Sequence, residues 1–250
     1  MRNFKLTLAY DGAEFHGWQV QPNLATVQGT LAAALERITG ERTLPQGSGR
    51  TDAGVHALAQ VATVALASPI PAANLQKALN DLLPPSIRVL AVEEAPPDFH
   101  ARHSALAKTY RYRIYRGAIC PPFLARYVYH HPFPLDEEAM QRAAPMVEGE
   151  HDFTSFAAVD PERGREEQET SNIRNIYCSR FEREGDEFVY TVRGNGFLHH
   201  MVRNLVGTFL MIGKGSLDEA GLRRILELRD RTVAGSTAPA GGLYLAGVEY

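Results

Sequence analysis

Hydrophobic and polar positions alternate from the outset: Phe4, Leu6, Leu8 and Tyr10 occupy every second place, with Lys5, Thr7 and Ala9 between them. A period of two predicts a half-buried strand. The period then lengthens. Val27, Leu31, Leu35 and Ile38 recur at helical spacing behind Thr26, which suits an N-cap, and Gly40 supplies a stop, so a helix is predicted over Val27 to Ile38. Strands are predicted at Gln60 to Leu66 and Ile87 to Val92, separated by a helix from Ala72 to Leu83 that turns Leu75, Leu79 and Leu82 inward. In "KTYRYRIY", Lys108, Tyr110, Tyr112 and Ile114 alternate with Thr109, Arg111, Arg113 and Tyr115, so one face carries aromatic rings and the other arginines.

The second half continues in the same way. Helices are predicted from about Glu137 to Met146 and from Met201 to Ile212, and strands near Arg174 to Phe181, Glu187 to Val192 and Leu243 to Tyr250. A further helix follows Ser216, which stands three residues before Glu219 in capping-box spacing and precedes an apolar stripe of Leu217, Leu222, Ile225 and Leu226. Mixed strands and helices of this kind define an α+β fold. We expect two related α/β halves, residues 1–104 and 105–250, sharing one sheet. The polar stretch "VDPERGREEQETSN", Val159 to Asn172, reads as a surface loop inserted between elements rather than a domain boundary.

Composition narrows the class. At 250 residues, 44% apolar and 22% charged, the chain is an ordinary globular one. No apolar run approaches the roughly 20 residues that span a bilayer, and "MRNFKLTLAYDG" turns polar too early for a signal peptide, so a cytoplasmic protein without a membrane partner is expected. The two cysteines, Cys120 and Cys178, lie far apart and read as reduced, buried thiols. A net charge of -3 argues against a polyanionic partner until its distribution is considered. Phe99 to Leu135 contains no Asp or Glu but holds Arg102, Lys108, Arg111, Arg113, Arg116 and Arg126, and Phe188 to Leu217 holds Arg193, Arg203 and Lys214, again without an acid. These zones either line a groove for a phosphate backbone or are balanced by acids from elsewhere in space.

Several patterns fail on spacing. Gly47 and Gly49 begin a G-x-G, but Asp52 stands where a dinucleotide fingerprint needs its third glycine, and a strand follows instead of a helix. "GTFLMIGKG" has five residues between Gly207 and Gly213 and no Ser or Thr after Lys214, so it is not a phosphate loop. His100, His103, His199 and His200 lack the companion residues of a metal motif, and no metal is expected. What remains is "GSGRTDAGVHA", Gly47 to Ala57, where a carboxylate sits among small residues with Arg50 two places upstream. An ionised carboxylate needs a cation and an open backbone to act as nucleophile or base, and the stretch offers both. On spacing alone, an aspartate accepting hydrogen bonds within its own turn is the more ordinary reading.

The stretch "GRTDAGVHA" nevertheless resembles the active-site signature of the pseudouridine synthases, and in this form is similar to the TruA family, the tRNA pseudouridine(38-40) synthases. "YDGAEFHGWQVQP", "FHARHSALAKTYRYRI", "HDFTSF", "NGFLHHMVRNLVGTF" and "APAGGLYLAGVEY" resemble further blocks of that family in the same order. The resemblance implies two ferredoxin-like α/β halves around a shared central antiparallel sheet. It also implies a homodimer without cofactor that isomerises uridine to pseudouridine at positions 38, 39 and 40 of the tRNA anticodon stem-loop. By the same likeness Asp52 corresponds to the catalytic aspartate, Tyr110 to the tyrosine that stacks on the target uracil, Arg203 to the basic residue that pairs with the aspartate, and Arg50 to the arginine that displaces the target nucleotide. Two other classes share some features: a noncatalytic RNA-binding module, which has no use for an acid in a basic site, and an aspartate-dependent glycosidase, which requires a second carboxylate.

Overall fold

The computed structural model describes residues 1–159 and 171–250, so the charged loop expected between Val159 and Asn172 falls for the most part outside the described residues. The chain forms two compact units: Met1–Lys108 together with Tyr244–Tyr250, and Thr109–Leu243. Both contain strands and helices, so the chain is α+β as its patterning predicted.

In the first unit β1 (Arg2–Tyr10) pairs antiparallel with β3 (His56–Leu66) on one side and with β4 (Ile87–Ala95) on the other. The two-residue strand β2 (Gln46–Gly47) adds to β3. Phe4, Leu6 and Leu8 are fully buried, as their period required. Helix α1 (Val27–Thr39) begins where the Thr26 hydroxyl accepts from the Gly29 amide and ends at Gly40 in the left-handed conformation. Helix α2 (Ala72–Leu82) packs against β4 and buries Leu75 and Leu79, but Leu82, expected inward, is exposed at its last residue. The final strand, β10 (Leu243–Glu249), runs parallel to β3, placing Tyr244 beside His56 and Leu245 beside Ala57. A parallel neighbour needs a long connection rather than a hairpin, and here it runs through α2, β4 and the whole second unit. β3 starts upstream of the predicted Gln60, since His56 pairs with Tyr244 and Ala57 with both Tyr10 and Leu245.

In the second unit the strand order is β5 (Ala107–Tyr115), β9 (Glu187–Gly194), β8 (Ile173–Glu184), β7 (Gly149–Asp152), with β6 (Tyr129–His130) running parallel to β5. β7, β8 and β9 are antiparallel neighbours. Phe181, Phe188, Tyr190 and Phe209 form its aromatic core, Phe181 stacking on Phe188 at 4.7 Å and meeting Phe209 edge-on at 5.5 Å. Helix α3 (Glu137–Ala143) is shorter than predicted and tightens into a 3-10 turn over Ala144–Val147. Pro145 is the reason: it lacks an N–H, and within an α-helix its ring would strike the carbonyl of Gln141. Helix α4 (Met201–Gly213) is apolar nearly all round and buried, while α5 (Glu219–Leu228) buries only Leu222 and Ile225. The capping expectation for α5 is corrected. Asp218, not Ser216, is the N-cap, its carboxylate accepting from the Gly221 amide at 2.7 Å, whereas the Ser216 hydroxyl donates back to the Met211 carbonyl.

Candidate active site

Asp52 lies in the irregular segment between β2 and β3, where Asp52 and the next two residues, Ala53 and Gly54, make a turn closed by the Val55 amide donating to the backbone carbonyl of Asp52 at 3.1 Å. The side chain of Asp52 is half-buried and that of Arg50 is exposed, while Thr51 between them points inward with 6% of its surface accessible. This is the alternation of an extended segment, in which residues i and i+2 share a side. Arg50 and Asp52 thus face away from the core together.

Residues from β1 and the loop after it fix the backbone of this segment. The Trp18 amide donates to the Thr51 carbonyl at 3.0 Å and the Gly54 amide to the Phe15 carbonyl at 3.3 Å. Glycine is demanded at two places. A Cβ on Gly12 would stand 1.9 Å from the Val55 carbonyl oxygen, and one on Gly17, whose φ is +88°, would stand 2.6 Å from that of Thr51. Beneath the segment a buried polar network completes the frame. The Tyr10 hydroxyl meets Thr51 Oγ1 at 2.8 Å, Gln60 donates to the Gly49 carbonyl at 3.0 Å and accepts from the Ser48 hydroxyl at 2.6 Å, and Lys108 Nζ donates to the Ser48 carbonyl. Burial pushes the Tyr10 phenol up to about 12, against the opposing hydrogen bonds to Thr51 and Gln60, so Tyr10 stays protonated. His56, also buried, lies against Tyr244 at 4.8 Å and reaches the Gly12 amide and Asp11 through Nδ1. None of Tyr10, Gly12, Gly17, Trp18, Gln60 and Lys108 was read from the sequence as a part of this frame, although "YDGAEFHGWQVQP" contains the first four and "FHARHSALAKTYRYRI" contains Lys108.

In the second unit Tyr110 sits on β5 with 8% of its surface accessible and meets Phe197 edge-on, ring centroids 4.9 Å apart. Arg203 lies in the first turn of α4, half-buried. Its Nε donates to the Ala238 carbonyl at 2.7 Å, and its own carbonyl accepts from the Ala238 amide. The next residue, Asn204, is fully buried and joins three distant segments: its amide donates to the Phe156 carbonyl, and its oxygen accepts from Arg231 and from the Thr237 hydroxyl. Tyr112 donates to the Pro239 carbonyl at 2.8 Å. Burial, with Tyr129 beside it, holds its phenol well above the ordinary value in spite of the charge of Arg203. The blocks "HDFTSF", "HHMVRN" and the approach to "APAGG" therefore converge on the start of α4. Asp52 and Arg50 belong to one unit, Tyr110 and Arg203 to the other.

The basic zones need partial revision. Arg111 pairs with Glu184, Arg113 forms two hydrogen bonds at 2.6 Å to Glu187, and Arg116 binds Glu137 at 2.9 Å. Three arginines of the acid-free stretch are thus balanced by acids supplied from other elements. The cysteines are free as expected, but both are half-buried rather than buried: Cys120 lies in the irregular segment after β5, and Cys178 on β8 follows a register shift after Ile176. Among the described residues no helix is long and apolar enough to cross a membrane.

An α+β chain that presents a carboxylate and an arginine from a braced loop has the build of an enzyme rather than of a passive scaffold. Comparison with known proteins makes this specific. The family model described as tRNA pseudouridine synthase matches residues 7–104 and 143–250. The chain is 51% identical over 250 residues to tRNA pseudouridine synthase A of Solibacter usitatus (strain Ellin6076), spanning 100% of both chains. It is 47% identical to the protein of that name from Brevibacillus brevis (strain 47) and 44% identical to that from Caldicellulosiruptor bescii, again over 100% of both chains. The chain belongs to the tRNA pseudouridine synthase family.

Proposed function

We propose that this protein isomerises uridine to pseudouridine at positions 38, 39 and 40 of the tRNA anticodon stem-loop, with Asp52 as its catalytic nucleophile or base. The observation that carries the reading is the half-exposed carboxylate of Asp52 on a backbone fixed from Gly17, Trp18 and the network below. The reaction breaks the N1 to C1' bond of uridine, turns the uracil and rejoins it through C5, so no atom is lost and no electron is transferred to a cofactor. A carboxylate serves it by attack at C1', by attack at uracil C6 or by removing a C2' proton. Reaching the bond requires the nucleotide to leave its stack, at a cost of a few kcal/mol. Arg50, exposed beside Asp52, is assigned to filling the vacated space.

Tyr110 and Arg203 are assigned to substrate binding. With only 8% of Tyr110 accessible, stacking on the uracil requires its ring to be uncovered as the nucleotide enters. Stacking of this type contributes about 1 to 3 kcal/mol. On this reading Arg203 supplies the cation that keeps a carboxylate ionised where water is excluded. The enzyme is assigned to the cytoplasm from its sequence composition and to a homodimer from the family resemblance. In the decisive experiment, unmodified tRNA is incubated with the protein alone and pseudouridine is mapped by carbodiimide labelling. Asp52→Asn is expected to bind tRNA normally and give no product in the anticodon arm. Normal turnover by that variant refutes the assignment.

A further inference from the structure

Arg50 and Asp52 sit on the outward side of a short segment whose inward side is held by buried polar side chains; besides Lys108, which donates to the Ser48 carbonyl, two residues of neighbouring strands grip it. Gln60, fully buried on β3, holds the upstream end: its Oε1 accepts from the Ser48 hydroxyl at 2.6 Å and its Nε2 donates to the Gly49 carbonyl at 3.0 Å. The same Nε2 reaches the Tyr10 hydroxyl at 3.4 Å. Tyr10, on β1 and 4% accessible, holds the downstream end through Thr51 Oγ1 at 2.8 Å. The Tyr10 and Thr51 hydroxyls share one hydrogen bond, which either can donate. The chain is therefore gripped at 48, 49 and 51, immediately around Arg50 and one bond before Asp52.

We propose that Tyr10 and Gln60 are positioning residues for the isomerisation, a two-strand clamp that sets where the Asp52 carboxylate stands relative to the ribose and uracil. The proposal rests on the reading of Asp52 as the catalytic carboxylate. Neither Tyr10 nor Gln60 touches substrate on this reading; each acts through the backbone of the segment. The network is more than filling for a core. Tyr10 would bury an equal area as Phe, and a β3 residue facing inward would be satisfied as Leu or Met. What these polar groups add is direction, since hydrogen bonds fix angle and register where apolar contacts do not. A displacement near 1 Å of a reacting group costs on the order of a hundredfold in rate.

Tyr10→Phe keeps the ring and removes the grip on Thr51. It is expected to lower kcat on an anticodon-arm substrate at least about tenfold, with KM and tRNA affinity within about twofold of the parent. Thr51→Val should do the same, and Thr51→Ser should recover most of the lost rate. The Tyr10→Phe/Thr51→Val double variant should be no worse than either single, because both break one interaction. Active fraction is counted by tRNA-binding stoichiometry, so a folding defect registers as lost sites, and kcat is expressed per site. Two outcomes overturn the proposal: kcat per site unchanged in Tyr10→Phe, or losses that multiply in the double variant. Asp52→Asn run in parallel separates the two ideas. If it turns over, the reading of Asp52 fails and the clamp falls with it; if it is inactive while Tyr10→Phe is not impaired, only the clamp fails.

Discussion

Replacing Gly17 by alanine tests the frame of the Asp52 segment from its other side. Gly17 has φ +88°, and an added Cβ would lie 2.6 Å from the Thr51 carbonyl oxygen and 3.2 Å from the carbonyl carbon of Asp52. Both neighbours are backbone, so neither can rotate away as a flexible side chain would. The alanine must also hold a backbone conformation that L-residues disfavour, a strain of about 1 to 3 kcal/mol. Two relaxations are available: the Gly17 backbone abandons positive φ, breaking the Trp18 amide to Thr51 carbonyl bond of 3.0 Å, or the Asp52 segment retreats by several tenths of an ångström. Either moves the carboxylate. At this chain length each kcal/mol lowers Tm by about 2 to 4 °C. We therefore expect Gly17→Ala to fold with a reduced Tm and to lose on the order of a hundredfold in kcat, while tRNA binding by the remainder of the surface persists. Differential scanning calorimetry and carbodiimide mapping of pseudouridine provide the two readouts. Parental kcat together with parental Tm would show that the close approach at Gly17 constrains nothing.

Other outcomes follow from neighbouring observations. Arg113→Gln should leave the salt dependence of tRNA affinity unchanged, because Glu187 already neutralises that guanidinium; a reduced slope in filter binding across a salt series would contradict the pairing. Asp218→Ala removes the N-cap of α5 and should cost about 1 kcal/mol in urea unfolding, with Ser216→Ala costing clearly less. Burial raises the Asp152 pKa, but the Thr154 hydroxyl and amide and the Arg229 charge outweigh it and hold the carboxyl below its ordinary value of 3.8. A depressed folded-state pKa stabilises above the unfolded value, so this contribution is complete above about pH 5 and fades as the pH falls through the folded value. The gap between the urea midpoints of the parent and Asp152→Ala should therefore narrow steadily as the pH is lowered from about 5 into acid, and a gap that does not narrow would refute the assignment.

Periodicity and caps are local, and the sequence determined them well: the buried row of Phe4, Leu6 and Leu8, the Thr26 to Gly40 helix, and the aromatic and arginine faces of β5 all stand as their spacing required. Where a local rule misled, a neighbouring local fact had been underweighted, as with Pro145 ending α3 and Asp218 displacing Ser216 as the cap. The candidate chemistry was legible too, since the Asp52 stretch and the blocks around it carried the family in their order. Partners distant in the chain were not legible. Nothing in the spacing of "YDGAEFHGW" says that its glycines exist to admit the Thr51 and Val55 carbonyls, that Tyr10 meets Thr51, or that Arg113 is matched by Glu187. Sequence period reports which face of an element is apolar, a property of neighbours a few residues apart. Close approach, hydrogen-bond partnership and charge balance depend on segments tens of residues apart, so only the folded chain decides them.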